Sequence, residues 1–83
     1  MRVLYFAWLR EKLGTAAEDL AIPPRVATVG ELIEWLKATS PRHAAAFAGE
    51  NIVRCAVDQE FAAADAPIGS AREIAFFPPV TGG

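Results

Sequence analysis

The sequence predicts an α+β domain in which a mixed sheet packs on one main helix. Three observations carry this expectation. Short runs rich in β-branched and aromatic residues lie near both ends, at Arg2 to Trp8 and Glu73 to Phe77. A single strong helical pattern lies between them, and strands flank it on both sides.

Each element follows from its residues in order. Arg2 to Trp8 (RVLYFAW) reads as the first strand. Leu9 to Leu13 is composed of helix formers and stops at Gly14, a residue suited to a helix C-terminus. Glu18 to Ile22 reads as a short second strand, closed by Pro23-Pro24. Thr28 and Glu31 stand at capping-box spacing, and Val29, Leu32, Ile33 and Leu36 fall on one helical face, which predicts the main helix over Val29 to Ala38. Ser40-Pro41 interrupts it, and His43 to Phe47 forms a further turn. Ile52 to Val57 and Glu60 to Ala62 read as a hairpin turning at Asp58-Gln59, and Glu73 to Phe77 is the last strand. A β-grasp, ubiquitin-like arrangement is the most economical assembly, with the first and last strands side by side at the sheet centre. Periodicity alone does not separate it from a split ferredoxin-like topology. In either case the domain occupies residues 1–77 and leaves residues 78–83 as a tail.

Composition narrows the function classes. The chain has 83 residues, of which 53% are hydrophobic and 22% charged, enough for one small core. A net charge of -2 gives no basic face for nucleic acid. No apolar run approaches the roughly 20 residues that span a bilayer. Met1-Arg2 leads straight into a strand, so no secretion signal is expected, and the one cysteine, Cys55, fits a reducing cytoplasm.

The most informative stretch is the ending, Phe76-Phe77-Pro78-Pro79-Val80-Thr81-Gly82-Gly83. Two terminal glycines leave a carboxylate on a thread thin enough for a channel that any Cβ would block. That carboxylate is inert until another protein activates it. Taken alone, Gly-Gly better describes a loose chain end. Pro78-Pro79 fixes φ at two positions and favours an extended course. From Pro78 to Gly83 the thread reaches at most roughly 20 Å. Side-chain alternation gives a second clue. Ile74 and Phe76 point to one face and Ala75 and Phe77 to the other, while the first strand is apolar on both faces. One helix layer covers only one of them.

Together, the run Val3 to Thr15 (VLYFAWLREKLGT) resembles the pattern VLFFAxxRExxGT, and the ending is similar to FFPPVTGG. Both patterns belong to the molybdopterin synthase small subunits, a family of ubiquitin-like sulfur carriers. The Ala56-Val57-Asp58-Gln59 hairpin and the length also fit. Ser70-Ala71-Arg72-Glu73 departs from the acidic-glycine turn of the type DGDE found there, which leaves that turn undefined.

The resemblance implies a mechanism. A ubiquitin-activating-like adenylyltransferase uses ATP and magnesium to adenylate the carboxylate of Gly83. A sulfur donor protein then converts it to a thiocarboxylate. The tail, from Pro78 and Pro79 through Val80, Thr81 and Gly82, enters the large synthase subunit in an expected heterotetramer. There it gives sulfur to cyclic pyranopterin monophosphate. Acid-base residues are expected on the large subunit, and this chain is expected to bind no cofactor or metal. Phe6, Phe61 and Phe77 are the expected docking patch, with Arg10 at its edge. Two other readings stay open, a sulfur carrier for thiamine thiazole synthesis and a ubiquitin-like protein modifier. Cys55 is expected in the core, His43 as a capping or packing residue, and Glu18-Asp19 as a solvated acidic pair.

Overall fold

The computed structural model describes residues 1–48 and 53–79. Its elements are β1 (Arg2–Tyr5), α1 (Trp8–Leu13), β2 (Ala17–Asp19), α2 (Val29–Thr39), α3 (Pro41–Ala46), β3 (Arg54–Val57), β4 (Glu60–Ala62) and β5 (Glu73–Phe77). Five strands form one sheet in the order β2-β1-β5-β3-β4. β1 and β5 are parallel neighbours at its centre, and the other pairs are antiparallel. This is the β-grasp arrangement, and it removes the ferredoxin-like alternative.

The strand expected over Arg2 to Trp8 ends at Tyr5. Its aromatic residues carry high β-propensity, but Ala7 takes φ 55° and ψ -130° and reverses the chain. The Leu9 N–H then donates to the Phe6 carbonyl at 3.2 Å, starting α1 at Trp8. A side chain is strained at this backbone position, which glycine occupies freely. Ala7→Gly is therefore expected to stabilise the domain by about 1 kcal/mol, relief of strain outweighing the added unfolded-state entropy. For a domain this size the melting temperature should rise by roughly 4–8 °C. An unchanged or lower melt would show that Ala7 carries no strain.

β2 is also shorter than Glu18 to Ile22 and begins one residue earlier. Leu20 still exchanges backbone hydrogen bonds with Met1, after which the chain leaves the sheet towards Pro23-Pro24, residues that cannot donate to a ladder. α2 begins with the expected capping box. The Glu31 N–H donates to Thr28 Oγ1 at 3.2 Å, and the Thr28 N–H donates to Glu31 Oε1 at 3.1 Å. Ser40 ends α2 and caps α3, with Pro41 at the first helical position, where its missing N–H costs nothing. Proline thus opens this helix two residues before the expected turn.

At the hairpin, Asp58 and Gln59 have φ of 46° and 71°, the paired positive values that a two-residue type I′ turn requires. The expected Ile52 start of this hairpin lies outside the described residues. Asp58 also settles the segment before β5. Its Oδ1 accepts the Arg72 and Glu73 N–H groups at 2.9 and 3.0 Å, so one carboxylate orders the turn that the sequence left undefined.

The core lies between the sheet and the helices. Val3 and Tyr5 of β1, Ile74 and Phe76 of β5, Leu9 of α1, and Val29, Leu32 and Leu36 of α2 are fully buried. The Phe76 ring lies 5.1 Å from Phe47, edge to face, and 6.4 Å from Tyr5 in a stacked pair.

Candidate functional site: the uncovered sheet face and the root of the tail

Residues paired across neighbouring strands share a face, so the register writes out the side of the sheet turned away from the core. One row runs Ala17, Leu4, Ala75, Ala56, Phe61 from edge to edge. The row nearer the start of β5 holds Asp19, Arg2 and Glu73. The row nearer its end holds Phe77 and Arg54, with Phe6 just past the β1 ladder. The face is therefore zoned. Asp19, Arg2 and Glu73 lie at one end, apolar residues with Phe61 at the β4 edge in the middle, and Phe6, Phe77 and Arg54 at the end where β5 becomes the tail.

Exposure matches this zoning. Phe61 is 87% exposed and Phe6 48%, and they are the exposed large hydrophobic side chains among the described residues. Phe77 is half-buried, and its ring lies 5.8 Å from that of Phe61. A groove of about 450 Å³ lies beside them, lined by Arg54, Cys55, Phe61, Ala62, Ala63 and Phe77. The expected patch residues Phe61 and Phe77 thus touch, and Phe6 lies on the same face across β5. Arg10 is exposed on α1 and makes no ion pair among the described residues. Pro78 and Pro79 follow β5 directly and are half-buried. The remaining tail residues, Val80, Thr81, Gly82 and Gly83, lie outside the described residues.

Arg54 was missed at the sequence level. Alternation about the buried Cys55 would have placed it on this face, but its position beside Phe77 needed the register. Cys55 itself meets expectation. It is buried, and burial pushes its thiol up to about 11, so it holds its proton at neutral pH.

The opposite, core-facing side holds a polar chain that the sequence did not suggest. The Tyr5 hydroxyl donates to Glu18 Oε2 at 2.6 Å, and His43 Nε2 lies 2.9 Å from the same oxygen. His43 Nδ1 lies 2.7 Å from Ser40 Oγ, which also accepts the His43 N–H. Glu18 is therefore not a solvated acid but the acceptor that joins β1, β2 and α3. Its partial burial opposes ionisation. The hydrogen bonds from Tyr5 and His43 and the His43 charge outweigh this and hold its carboxyl below the ordinary range. Burial, then the Glu18 hydrogen bond and charge, push the Tyr5 hydroxyl well up. This chain ties elements together on the side away from the tail face. Among the described residues no group of acidic, histidine or cysteine side chains is placed to hold a metal.

A β-grasp sheet whose central β5 runs into a Pro-Pro segment defines a ubiquitin-like domain. The chain belongs to the ThiS family, whose model matches residues 3–83. It is 40% identical over 83 residues to the molybdopterin synthase sulfur carrier subunit of Escherichia coli, covering all of this chain and 99% of that one. A solved structure described as a putative molybdopterin converting factor, subunit 1, from Pyrococcus furiosus superposes with a TM-score of 0.73 at 30% identity, over 95% of each chain. Small archaeal modifier protein 1 of Haloferax volcanii gives a TM-score of 0.77 at 26% identity, over 96% of this chain and 97% of that one. The chain is thus homologous over its full length to a ubiquitin-like sulfur carrier. Among the described residues, no helix is long and apolar enough to cross a membrane.

Proposed function

We propose that this chain is the sulfur-carrying small subunit of a molybdopterin synthase, acting in the cytoplasm. The observation that carries the reading is the continuity of the central strand β5 with Pro78-Pro79-Val80-Thr81-Gly82-Gly83, in a chain homologous end to end to such a subunit. An adenylyltransferase would attack ATP, held with magnesium, through the Gly83 carboxylate, forming an acyl-adenylate and releasing pyrophosphate. A sulfur nucleophile would then displace AMP and leave a thiocarboxylate. In the large subunit that sulfur would pass to cyclic pyranopterin monophosphate and regenerate the carboxylate, two such transfers completing the dithiolene. The present chain contributes docking and positioning. Acid-base groups fall to the large subunit, and ATP and magnesium to the activating enzyme.

Phe6, Phe61 and Phe77 form the docking surface in this reading, with Arg10 at its margin. The support is physical. Two exposed rings flank a plateau of small residues at the root of the tail, so a protein covering them would receive the tail at the same time. Phe77→Ala is expected to weaken binding to the large subunit by about thirtyfold, the scale of an aromatic anchor of about 2 kcal/mol. Its thermal melt should move little, because the ring is only half-buried. Unchanged affinity would take Phe77 off this surface.

The function is tested by treating the purified chain with an activating enzyme, ATP, magnesium and a sulfur donor, then measuring intact mass. A gain equal to sulfur replacing oxygen marks the thiocarboxylate. Mixing that product with the large subunit and the pterin precursor should yield molybdopterin, and no product would overturn the reading. The likeness to an archaeal modifier supports a second reading, in which Gly83 forms an isopeptide bond with a target lysine. Covalent high-mass adducts in the cell would mark that activity, and sulfur transfer to a thiazole precursor the thiamine branch.

A further inference from the structure

The aromatic end of the uncovered face contains one charge that the docking surface does not explain. β3 turns Arg54 outward beside Phe77, and its exposed side chain lines the groove that also contains Phe61. Among the described residues no carboxylate lies within ion-pair distance of Arg54. The acids of this face, Asp19 and Glu73, sit with Arg2 in the row at the other end. Between the two zones lie Leu4, Ala75 and Ala56, which carry no charge.

We propose that the protein covering this face presents a carboxylate side chain to Arg54 in the groove that Arg54 lines with Phe61 and Phe77. The proposal rests on the docking reading above and adds the chemistry of the partner. A surface that covers both rings also covers the groove they wall. The guanidinium inside it cannot shed its proton, and burying it without an anion is costly. A carboxylate matches its planar fork with two parallel hydrogen bonds. The apolar walls exclude water, so the pair would be worth more there than on an open surface.

The same pair would set orientation. Two rings on a plateau of alanines can be met by many apolar surfaces in several rotations. One charge fixed beside Phe77 admits only the rotation that brings an acid to it, and rejects a partner with an apolar or basic group there. Because the whole chain carries a net charge of -2, an acidic partner surface is not drawn to it by overall attraction. Recognition of the acid would be a local property of Arg54.

The test is titration of the purified synthase large subunit with variants of the full chain, each checked by thermal melting. Arg54→Met keeps the apolar stem and should weaken binding by about tenfold or more, and Arg54→Glu should weaken it further. The loss of affinity between about 0.05 and 0.5 M salt should be steeper for the native chain than for Arg54→Met. Exchanging the facing acid of the large subunit for lysine should restore binding to Arg54→Glu. If Phe61→Ala and Phe77→Ala weaken binding while Arg54→Met binds as tightly as the native chain, the carboxylate proposal alone is overturned. If the phenylalanine variants also bind normally, the docking reading falls and this proposal with it.

Discussion

Gly82→Val is expected to leave the domain folded and to stop the chain from delivering sulfur. The substitution lies five residues beyond Phe77 in the sequence, and the buried core described above is built entirely from residues up to Phe76. Stability should change by no more than about 0.5 kcal/mol, read as an almost unmoved thermal melt. Function is another matter. A thread that must pass a close-fitting channel has no room for a branched side chain, and valine also restricts the backbone that glycine leaves free. Misplacing a reacting group by about 1 Å can cost roughly a hundredfold in rate, and a blocked channel costs more. The measurement is molybdopterin formed by thiocarboxylated Gly82→Val with the large subunit, beside intact mass after activation. A normal thiocarboxylate yield with lost transfer would locate the tight passage in the synthase. Loss of both would locate it already in the activating enzyme. Normal yields in both assays would mean that the glycine is dispensable and the thread reading wrong.

Glu18→Ala should do the opposite, harming the fold while leaving the tail untouched. Glu18 Oε2 accepts from Tyr5 at 2.6 Å and sits 2.9 Å from His43 Nε2. Without it a buried hydroxyl and a nearly buried imidazole lose their partner, at an expected loss of about 3 kcal/mol. In a domain this small that lowers the melting temperature by roughly 12–24 °C. Glu18→Gln keeps one acceptor and should lose less. The pH dependence gives a second reading of the same site. The folded carboxyl lies below its ordinary value of 4.5, so below that value the unfolded chain binds the proton more readily. The stability contributed by Glu18 is present above the ordinary value and is lost as pH falls through the folded one. Tyr5 acts at the other limit. Its folded hydroxyl lies above the ordinary 10.0, so its contribution is intact below that pH and is lost on further rise. Glu18→Ala should flatten the acid limb of a stability profile. An acid limb identical to that of the native chain would assign that dependence to other groups.

Much of this was legible in the sequence for reasons that can be named. Thr28 and Glu31 specify α2 through local hydrogen bonds, and the hairpin is marked by Asp58, a residue type that tolerates positive φ. The alternation in Glu73 to Phe77 set Ile74 and Phe76 on one face and Ala75 and Phe77 on the other, and the burial shows that the first pair is inside. Phe61 was grouped with Phe77 only through the family resemblance, and the two rings do meet. What escaped depended on contacts distant in sequence. Nothing near Glu18 announces Tyr5 or His43, which reach it only after β1, β2 and α3 assemble. Ala7 misled for a different reason. Alanine carries no mark of a turn, so Phe6-Ala7-Trp8 read as more strand. Arg54 looked like an ordinary surface charge until the register set it beside Phe77.

The placement of β5 between β1 and β3 has a mechanical consequence. If, as proposed, a partner draws the tail into its interior, the pull would act along β5 and be resisted by two ladders at once. Every hydrogen bond along them is strained together, as in shear, rather than one after another from an end. A tail rooted in an edge strand would peel off bond by bond. Rooted at the centre, it can be tugged, held and released through repeated cycles while the domain that carries it stays whole.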